Sequence, residues 1–82
     1  MKIKVVYRRN LKMSEPKVAA QVAHAVIGLG VTDQTCTIVT LPVSDKKFFE
    51  FIENEDCFVQ EDFGYTEIEE GTKTAAARIE EK

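Results

Sequence analysis

The sequence contains few of the histidines and cysteines from which structural zinc sites are built. It has one histidine, His24, and two cysteines, Cys36 and Cys57, which do not form a CxxC pair. Tetrahedral zinc takes four such ligands, so these three residues fall short of a full set. We therefore expect neither a metal nor a cofactor. A Cys36–Cys57 disulfide stays open at this point, although a free, buried cysteine on a strand is the better interpretation.

Long hydrophobic runs are also absent. A helix that crosses a bilayer needs roughly 20 consecutive apolar residues, and no segment of this sequence approaches that length. The N-terminus alternates lysine with isoleucine or valine, so it does not resemble the apolar core of a signal peptide. The sequence thus predicts a cytoplasmic protein without a membrane partner.

The chain is short and shows no internal repeat. Its 82 residues are 44% hydrophobic and 30% charged, which is ordinary for a folded, soluble protein. We expect residues 1–82 to form one domain that buries only about 60–65% of the surface of its unfolded chain. A second copy would bury more apolar surface, so a homodimer is a reasonable expectation.

Positive charge is concentrated near the N-terminus, although the chain carries a formal net charge of −3. Residues 1–17 hold six of the eleven lysines and arginines and a single acidic residue, Glu15. Such a cluster can contact nucleic-acid phosphate, and a solvated charged surface explains it equally well. The candidate phosphate contacts are Arg8, Arg9, Lys12 and Lys17.

Hydrophobic periodicity predicts an α/β protein. The element order β-α-β-α-β-β implies a small four-stranded mixed sheet with helices packed on it. Ser14 and Ser44 are predicted to cap the two helices, and Gly30 to end the first. The last segment is ambiguous because its three alanines at 75–77 favour a helix, and we predict a strand because a fourth strand completes the sheet. The predicted strands span 2–7, 36–41, 57–60 and 72–79, and the predicted helices span 15–29 and 45–53.

The first predicted helix divides its side chains between two faces at about 100° per residue. Lys17, Gln21, His24 and Gly28 fall within about 60° of one another. This polar stripe can serve a site, whereas a lone lysine or histidine at such a position is commonly a plain surface residue. A wide apolar arc suited to packing on the sheet is formed by Val18, Ala19, Val22, Ala23, Val26, Ile27 and Leu29.

Two blocks of sequence match a known pattern. The first is Leu-Lys-Met at 11–13 with Lys-Val-Ala-Ala-Gln-Val-Ala-His-Ala at 17–25. The second is Glu-Asp-x-Gly-x-Thr at 61–66, followed by Ile-x-x-Gly-Thr-x-Thr at 68–74. Together they closely resemble the archaeal and eukaryotic class of peptidyl-tRNA hydrolases. The chain looks like a shortened, diverged member. Ser14, Glu15 and Pro16 stand where the family has a basic, glycine-rich segment before the helix lysine, and a long insertion after the first helix is missing.

The resemblance implies hydrolysis of the ester between a peptide and the 3′ end of tRNA, without a metal, in a homodimer with the family's α/β fold. Such chemistry needs a held water, an acceptor for its proton and a donor for the developing oxyanion. Asp62 could orient the water and Lys17 could hold the charge. The implied catalytic residues are Lys17, Gln21, His24, Asp62, Thr66 and Thr74.

A second hypothesis comes from the departures at Glu15 and Pro16 and from the shortening of the chain. The acidic and stiff segment before Lys17 is less suited to binding phosphate than the basic segment found in the family. On this hypothesis, the chain is a noncatalytic module of the same fold that binds RNA or a protein through the Lys17 face. Turnover of a tRNA ester distinguishes the two hypotheses.

Overall fold

The computed structural model describes residues 1–53, 56–64 and 68–80. The predicted α/β fold is confirmed, the C-terminal segment is a strand, and every element bound lies within two residues of its prediction. A single turn of 3₁₀ helix, Arg9–Leu11, follows the first strand. The main elements within the described residues are β1 (Lys2–Arg8), α1 (Glu15–Gly28), β2 (Thr37–Val43), α2 (Asp45–Phe51), β3 (Phe58–Glu61) and β4 (Lys73–Glu80).

The strands form one mixed sheet in the order β2-β1-β4-β3. β1 and β2 are parallel and are joined through α1, which confirms the predicted β-α-β unit. β4 runs antiparallel to both of its neighbours. The topology therefore places β1 and β4 at the centre of the sheet and leaves β2 and β3 at its edges.

The two helices cover opposite faces of the sheet. Val5 and Val6 are adjacent on β1, so their side chains point to opposite faces. Val5 packs in a core with Ala25 of α1, and Val6 packs in a second core with Phe48 of α2. Each side of the sheet thus has its own small hydrophobic cluster.

Both helices begin at the predicted serine caps. Ser14 Oγ accepts the N–H of Lys17, and Ser44 Oγ accepts the N–H of Lys47, each at 3.3 Å. Gly30 has a φ of 79°, which suits a glycine just past the end of α1. These local signals fix where α1 starts and stops, and therefore which of its residues face the sheet.

The predicted width of the apolar arc on α1 is wrong, because only part of that arc packs against the sheet. α1 lies over β4, β3 and β1, and its buried residues are Gln21 and Ala25. The part of the arc nearest β2 consequently has little sheet beneath it. The exposed members of the arc are Ala19, Ala23 and Ile27. The members that remain partly buried are Val18, Val22, Val26 and Leu29.

Both cysteines are free thiols. Cys36 and Cys57 lie directly before β2 and β3 and are partly buried, not fully buried on a strand as predicted. Burial raises the pKa of the Cys57 thiol above its ordinary value. The open question of a Cys36–Cys57 disulfide is thereby settled in favour of two thiols.

Gly28 lies against the ring of Phe58 at the start of β3. A Cβ atom at residue 28 would sit 2.3 Å from two ring carbons of Phe58. We expect Gly28→Ala to lower the free energy of unfolding by about 1 kcal/mol, because overpacking that costs about 2 kcal/mol outweighs a helix-propensity gain of about 1 kcal/mol. Urea unfolding measures this. Adding Phe58→Leu should recover part of the loss, and a fully stable Gly28→Ala variant would contradict the close contact.

Candidate functional site

A buried ion pair connects α1 to the segment after β3. Lys17 Nζ contacts Oδ2 of Asp62, whose side chain is 1% exposed, while that of Lys17 is 11% exposed. The other carboxylate oxygen, Oδ1, accepts the N–H of Gly64 at 2.6 Å. Both oxygens of Asp62 are therefore engaged by donors from the protein itself.

The backbone of Asp62 is fixed as firmly as its side chain. Its N–H donates to the carbonyl oxygen of Thr72 at 2.9 Å, and its own carbonyl oxygen accepts the N–H of Gly71 at 2.7 Å. These two bonds join the chain leaving β3 to the chain entering β4. They hold the carboxylate at the sheet end that faces the first turn of α1.

The pKa of Asp62 lies below its ordinary value. Burial raises the pKa, but the hydrogen bonds from Lys17 and from the N–H of Gly64, with the positive charge of Lys17, outweigh that effect. The carboxylate is consequently ionised at neutral pH. A buried anion paired with a cation in this way keeps the cation in one place.

Thr74 and Gln21 form a second polar contact behind the ion pair. The register between β3 and β4 shifts after Gln60, which leaves Thr74 as the extra residue on β4. Such a bulge redirects a side chain. Thr74 Oγ1 donates to Oε1 of Gln21 at 2.5 Å and lies 3.3 Å from the carbonyl oxygen of Gln60. The buried Gln21 amide is thus oriented from the sheet.

A cleft of about 190 Å³ opens between α1 and the end of β3. Four of the six predicted catalytic residues line it, and Thr74 orients one of them from behind. His24 is exposed on the same side. Thr66 lies outside the described residues. The full lining consists of Lys17, Ala20, Gln21, His24, Gln60, Asp62 and Phe63.

Besides the small Ala20, two cleft residues, Gln60 and Phe63, were not predicted as site residues. Gln60 is buried, and its Nε2 donates to the carbonyl oxygen of Glu61 at 2.8 Å. Phe63 exposes most of its ring beside Asp62. Phe63 could have been predicted because it is adjacent to Asp62 in the sequence. Nothing in the sequence distinguishes Gln60 from an ordinary strand residue.

Three of the four predicted phosphate contacts, Arg8, Arg9 and Lys12, line a second groove away from the Lys17 cleft, and Arg8 is also engaged within the fold. Arg8 forms a bidentate pair with Asp45, with distances of 3.0 and 3.1 Å, and also donates to the carbonyl oxygen of Lys73. Its guanidinium lies over the ring of Phe49 at 5.2 Å. The hydrogen bonds from Arg8 hold the pKa of Asp45 below its ordinary value. Arg8 thus ties β1, α2 and β4 together.

Arg9 and Lys12 lie on the opposite flank of α1 from the cleft. They are exposed and line a groove of about 440 Å³ together with Arg8 and Glu15. The groove runs between α1 and β2 and, as described, shares no lining residue with the Lys17 cleft. Of the four predicted contacts, Lys17 is the one in the cleft.

The family model described as peptidyl-tRNA hydrolase PTH2 matches residues 1–55, about two thirds of the chain. The chain belongs to the PTH2 family. The four-stranded mixed sheet with two helices fits that family, and the resemblance drawn from the sequence is confirmed. A search of curated proteins found no match.

The PTH2 match covers only part of the candidate site. Lys17, Gln21 and His24 fall within the matched residues, whereas Asp62 and Thr74 lie beyond residue 55. Family membership therefore rests on the first two thirds of the chain, which contain α1. The fold brings the Asp62 carboxylate, from the unmatched last third of the chain, to the lysine of this PTH2 helix.

The site of this PTH2 member has the donors for oxyanion chemistry but not a set of metal ligands. Residues 1–53, 56–64 and 68–80 contain no cluster of three or more histidine, cysteine or acidic side chains placed to bind a metal ion. Over the same residues, no helix is long and apolar enough to cross a membrane. The cleft instead combines a fixed ammonium, a fixed amide and an exposed imidazole.

Proposed function

We propose that the chain hydrolyses the ester between a peptide, or an N-blocked amino acid, and the 3′ end of tRNA. The observation that carries the proposal is the Lys17–Asp62 pair, which lines one cleft with Gln21 and His24. PTH2 membership supports the same reaction class at the level of the family. At about 190 Å³ the cleft suits the reacting ester, and most of the substrate would lie on the surface around it.

In the proposed reaction, Lys17 stabilises the negative charge that develops on the carbonyl oxygen when water adds. The lysine is held by an ionised carboxylate before substrate arrives, and donors that are already in place stabilise a transition state most strongly. Gln21 contributes a second donor. Its Oε1 accepts from Thr74, so its amide nitrogen is the end that can donate to a ligand in the cleft.

Asp62 then acts through Lys17 as a positioning residue. Both of its oxygens are engaged, and its lowered pKa makes it a weak proton acceptor. The sequence favoured Asp62 as the group that orients water, and in the proposed mechanism that role passes to His24. The exposed imidazole accepts the proton of the attacking water and returns it to the ribose 3′ oxygen as the bond between that oxygen and the carbonyl carbon breaks.

The test is a turnover assay on purified protein with N-acetyl-aminoacyl-tRNA. We expect release of the N-acetyl amino acid over many cycles, with the same rate in the presence of a chelator. Heat-unfolded protein provides the blank. Salt-sensitive binding of tRNA without any turnover would reject the proposal and favour a noncatalytic RNA-binding module.

On the noncatalytic alternative, RNA would bind in the groove that contains Arg9 and Lys12, and not through the Lys17 face that the sequence favoured. Those two cations are exposed and are not engaged with the Lys17 cleft. In the proposed enzyme they would contact tRNA phosphate outside the reacting centre. The proposed partners are therefore peptidyl-tRNA and, as the sequence resemblance implies, a second copy of the chain.

A further inference from the structure

Phe63 is the most exposed aromatic side chain in residues 1–53, 56–64 and 68–80. It is 65% exposed, and Phe49, the next in order, is 42% exposed. The ring of Phe49 lies under the guanidinium of Arg8, whereas the ring of Phe63 lines the same cleft as Lys17 and Asp62. Phe63 therefore presents aromatic surface at the place where the substrate ester is proposed to react.

The backbone on both sides of Phe63 is held in place. On one side, two backbone hydrogen bonds join Asp62 to the chain entering β4. On the other side, Gly64 donates its N–H to Asp62 Oδ1 at 2.6 Å and has a φ of 83°, which glycine adopts without strain. A Cβ atom at residue 64 would lie 2.9 Å from Cβ of Glu70, so this turn is closely packed. Phe63 consequently projects from a fixed turn, beside the cleft.

The rest of the cleft lining is polar. Apart from Phe63 it consists of an ammonium group, an imidazole, a carboxylate, two amides and the methyl group of Ala20. A pocket for an aliphatic side chain is lined mainly by apolar groups, and this lining does not supply them. A planar π-system needs one exposed ring face on which to stack and tolerates polar groups around its edge. The cleft thus suits an aromatic ligand better than an aliphatic one.

The substrate of the proposed reaction carries a planar group next to the ester. Every tRNA ends in adenosine, and the ribose that bears the ester also bears the adenine base. The amino-acid side chain on the other side of the ester differs from one tRNA to the next, whereas the base does not. A ring fixed at one position, like that of Phe63, suits the group that all substrates share.

We propose that the ring of Phe63 stacks on the adenine of the 3′-terminal nucleotide and thereby places the ribose ester beside Lys17. The identity of the ligand rests on the proposed function, but the stacking itself is a binding event that needs no turnover. A base that stacks on an aromatic side chain strengthens binding by about 5- to 150-fold in single-stranded nucleic-acid complexes. One exposed ring is therefore sufficient to position the end of the substrate.

Tryptophan fluorescence tests the contact without turnover. The chain contains no tryptophan, so Phe63→Trp introduces a single reporter and keeps an aromatic face at residue 63. We expect the trinucleotide CpCpA to quench this emission in a saturable manner, because a stacked base quenches an indole. The same trinucleotide without its last base should cause no saturable change. Phe49→Trp is the matched control, since it places the reporter on an exposed ring outside the cleft.

Steady-state kinetics supply the second measurement. Phe63→Leu keeps an apolar side chain but removes the π face, and it should raise the KM for N-acetyl-aminoacyl-tRNA about tenfold. Its kcat should stay within about twofold, because the base is bound equally in the ground state and the transition state. Phe63→Tyr restores the ring and should restore KM. Phe63 is exposed, so none of these substitutions should alter stability, which urea unfolding checks.

Saturable quenching of Phe63→Trp by CpCpA alone supports the proposal, and it does so whether or not the chain hydrolyses the ester. The two proposals can therefore fail separately. No quenching, or equal quenching by the trinucleotide that lacks the base, or equal quenching of Phe49→Trp, overturns the stacking. A loss in Phe63→Leu with N-acetyl-phenylalanyl-tRNA but not with N-acetyl-glycyl-tRNA assigns the ring to the amino-acid side chain and overturns it as well.

Discussion

Asp62→Asn is expected to lower kcat for N-acetyl-aminoacyl-tRNA by about 100-fold. Asparagine retains the shape of the side chain and an oxygen that can accept the N–H of Gly64, but it lacks the charge that holds Lys17 in the cleft. Loss of one well-placed oxyanion donor typically lowers kcat by about 10²–10³-fold. The Michaelis constant should change much less, because the tRNA contacts outside the cleft are untouched.

Glu61→Gln is the matched control for that experiment. Glu61 is the neighbouring residue on β3, carries the same charge and is exposed. Its substitution should leave kcat within about twofold of the unmodified chain, because surface charges of this kind have small effects. Full activity in Asp62→Asn would remove Asp62 from the mechanism. Equal losses in both variants would assign the effect to overall charge and not to the Lys17 contact.

The part of the site on α1 was predictable because helix geometry is rigid. Lys17, Gln21 and His24 are four and three residues apart, and that spacing alone puts them on one face. In the structure all three line one cleft. Their partner Asp62 lies 45 residues farther along, where no local periodicity applies, and only the resemblance to a family suggested that it belonged with them.

Thr74 shows where a simple pattern fails. Strict alternation along β4 would place Thr74 and Ala75 on opposite faces. The bulge after Gln60 interrupts that alternation and turns the Thr74 hydroxyl to Gln21, while Ala75 stays in the core under α1. A bulge depends on how two strands pair, so the sequence of one strand does not reveal it.

Arg8 and Arg9 show a similar limit for charge clusters. They are adjacent in sequence and were both predicted to contact phosphate. β1 ends at Arg8, whose side chain is directed to Asp45 at the start of α2, while Arg9 begins a turn that lies in solvent. Both arginines line the same groove, but proximity in sequence does not determine which of two adjacent charges is already paired within the fold. That depends on where the strand ends, which the pattern fixed only to within one residue.

The largest effect on stability is expected from Lys17→Met. Methionine keeps most of the side-chain volume but leaves the buried Asp62 carboxylate without its cation. Removing one partner of a buried ion pair typically costs about 3–5 kcal/mol, a large share of the about 5–15 kcal/mol that stabilises a small protein. Asp62→Asn should cost less, because the partly exposed lysine can extend its ammonium group into water.

The double variant Lys17→Met with Asp62→Asn should be more stable than Lys17→Met alone, since it no longer buries an unpaired charge. Lys47→Met is the control: Lys47 occupies the same capped position in α2 but is exposed, so its loss should cost less than about 0.5 kcal/mol. Urea unfolding at pH 7 measures all four variants. Equal losses for the two lysine substitutions would contradict a stabilising role for the buried pair.

The pH dependence of the stability of the same variants shows whether the ionised Asp62 carboxylate stabilises or destabilises the folded chain. The pKa of Asp62 is lower in the folded chain than its unfolded value of about 3.9. The ion pair therefore stabilises the folded state above pH about 4 and loses that contribution as the pH falls through the lower, folded pKa. In Lys17→Met the carboxylate has lost its cation, so protonation relieves the buried charge. The difference in stability between the unmodified chain and Lys17→Met should consequently shrink as the solution is acidified.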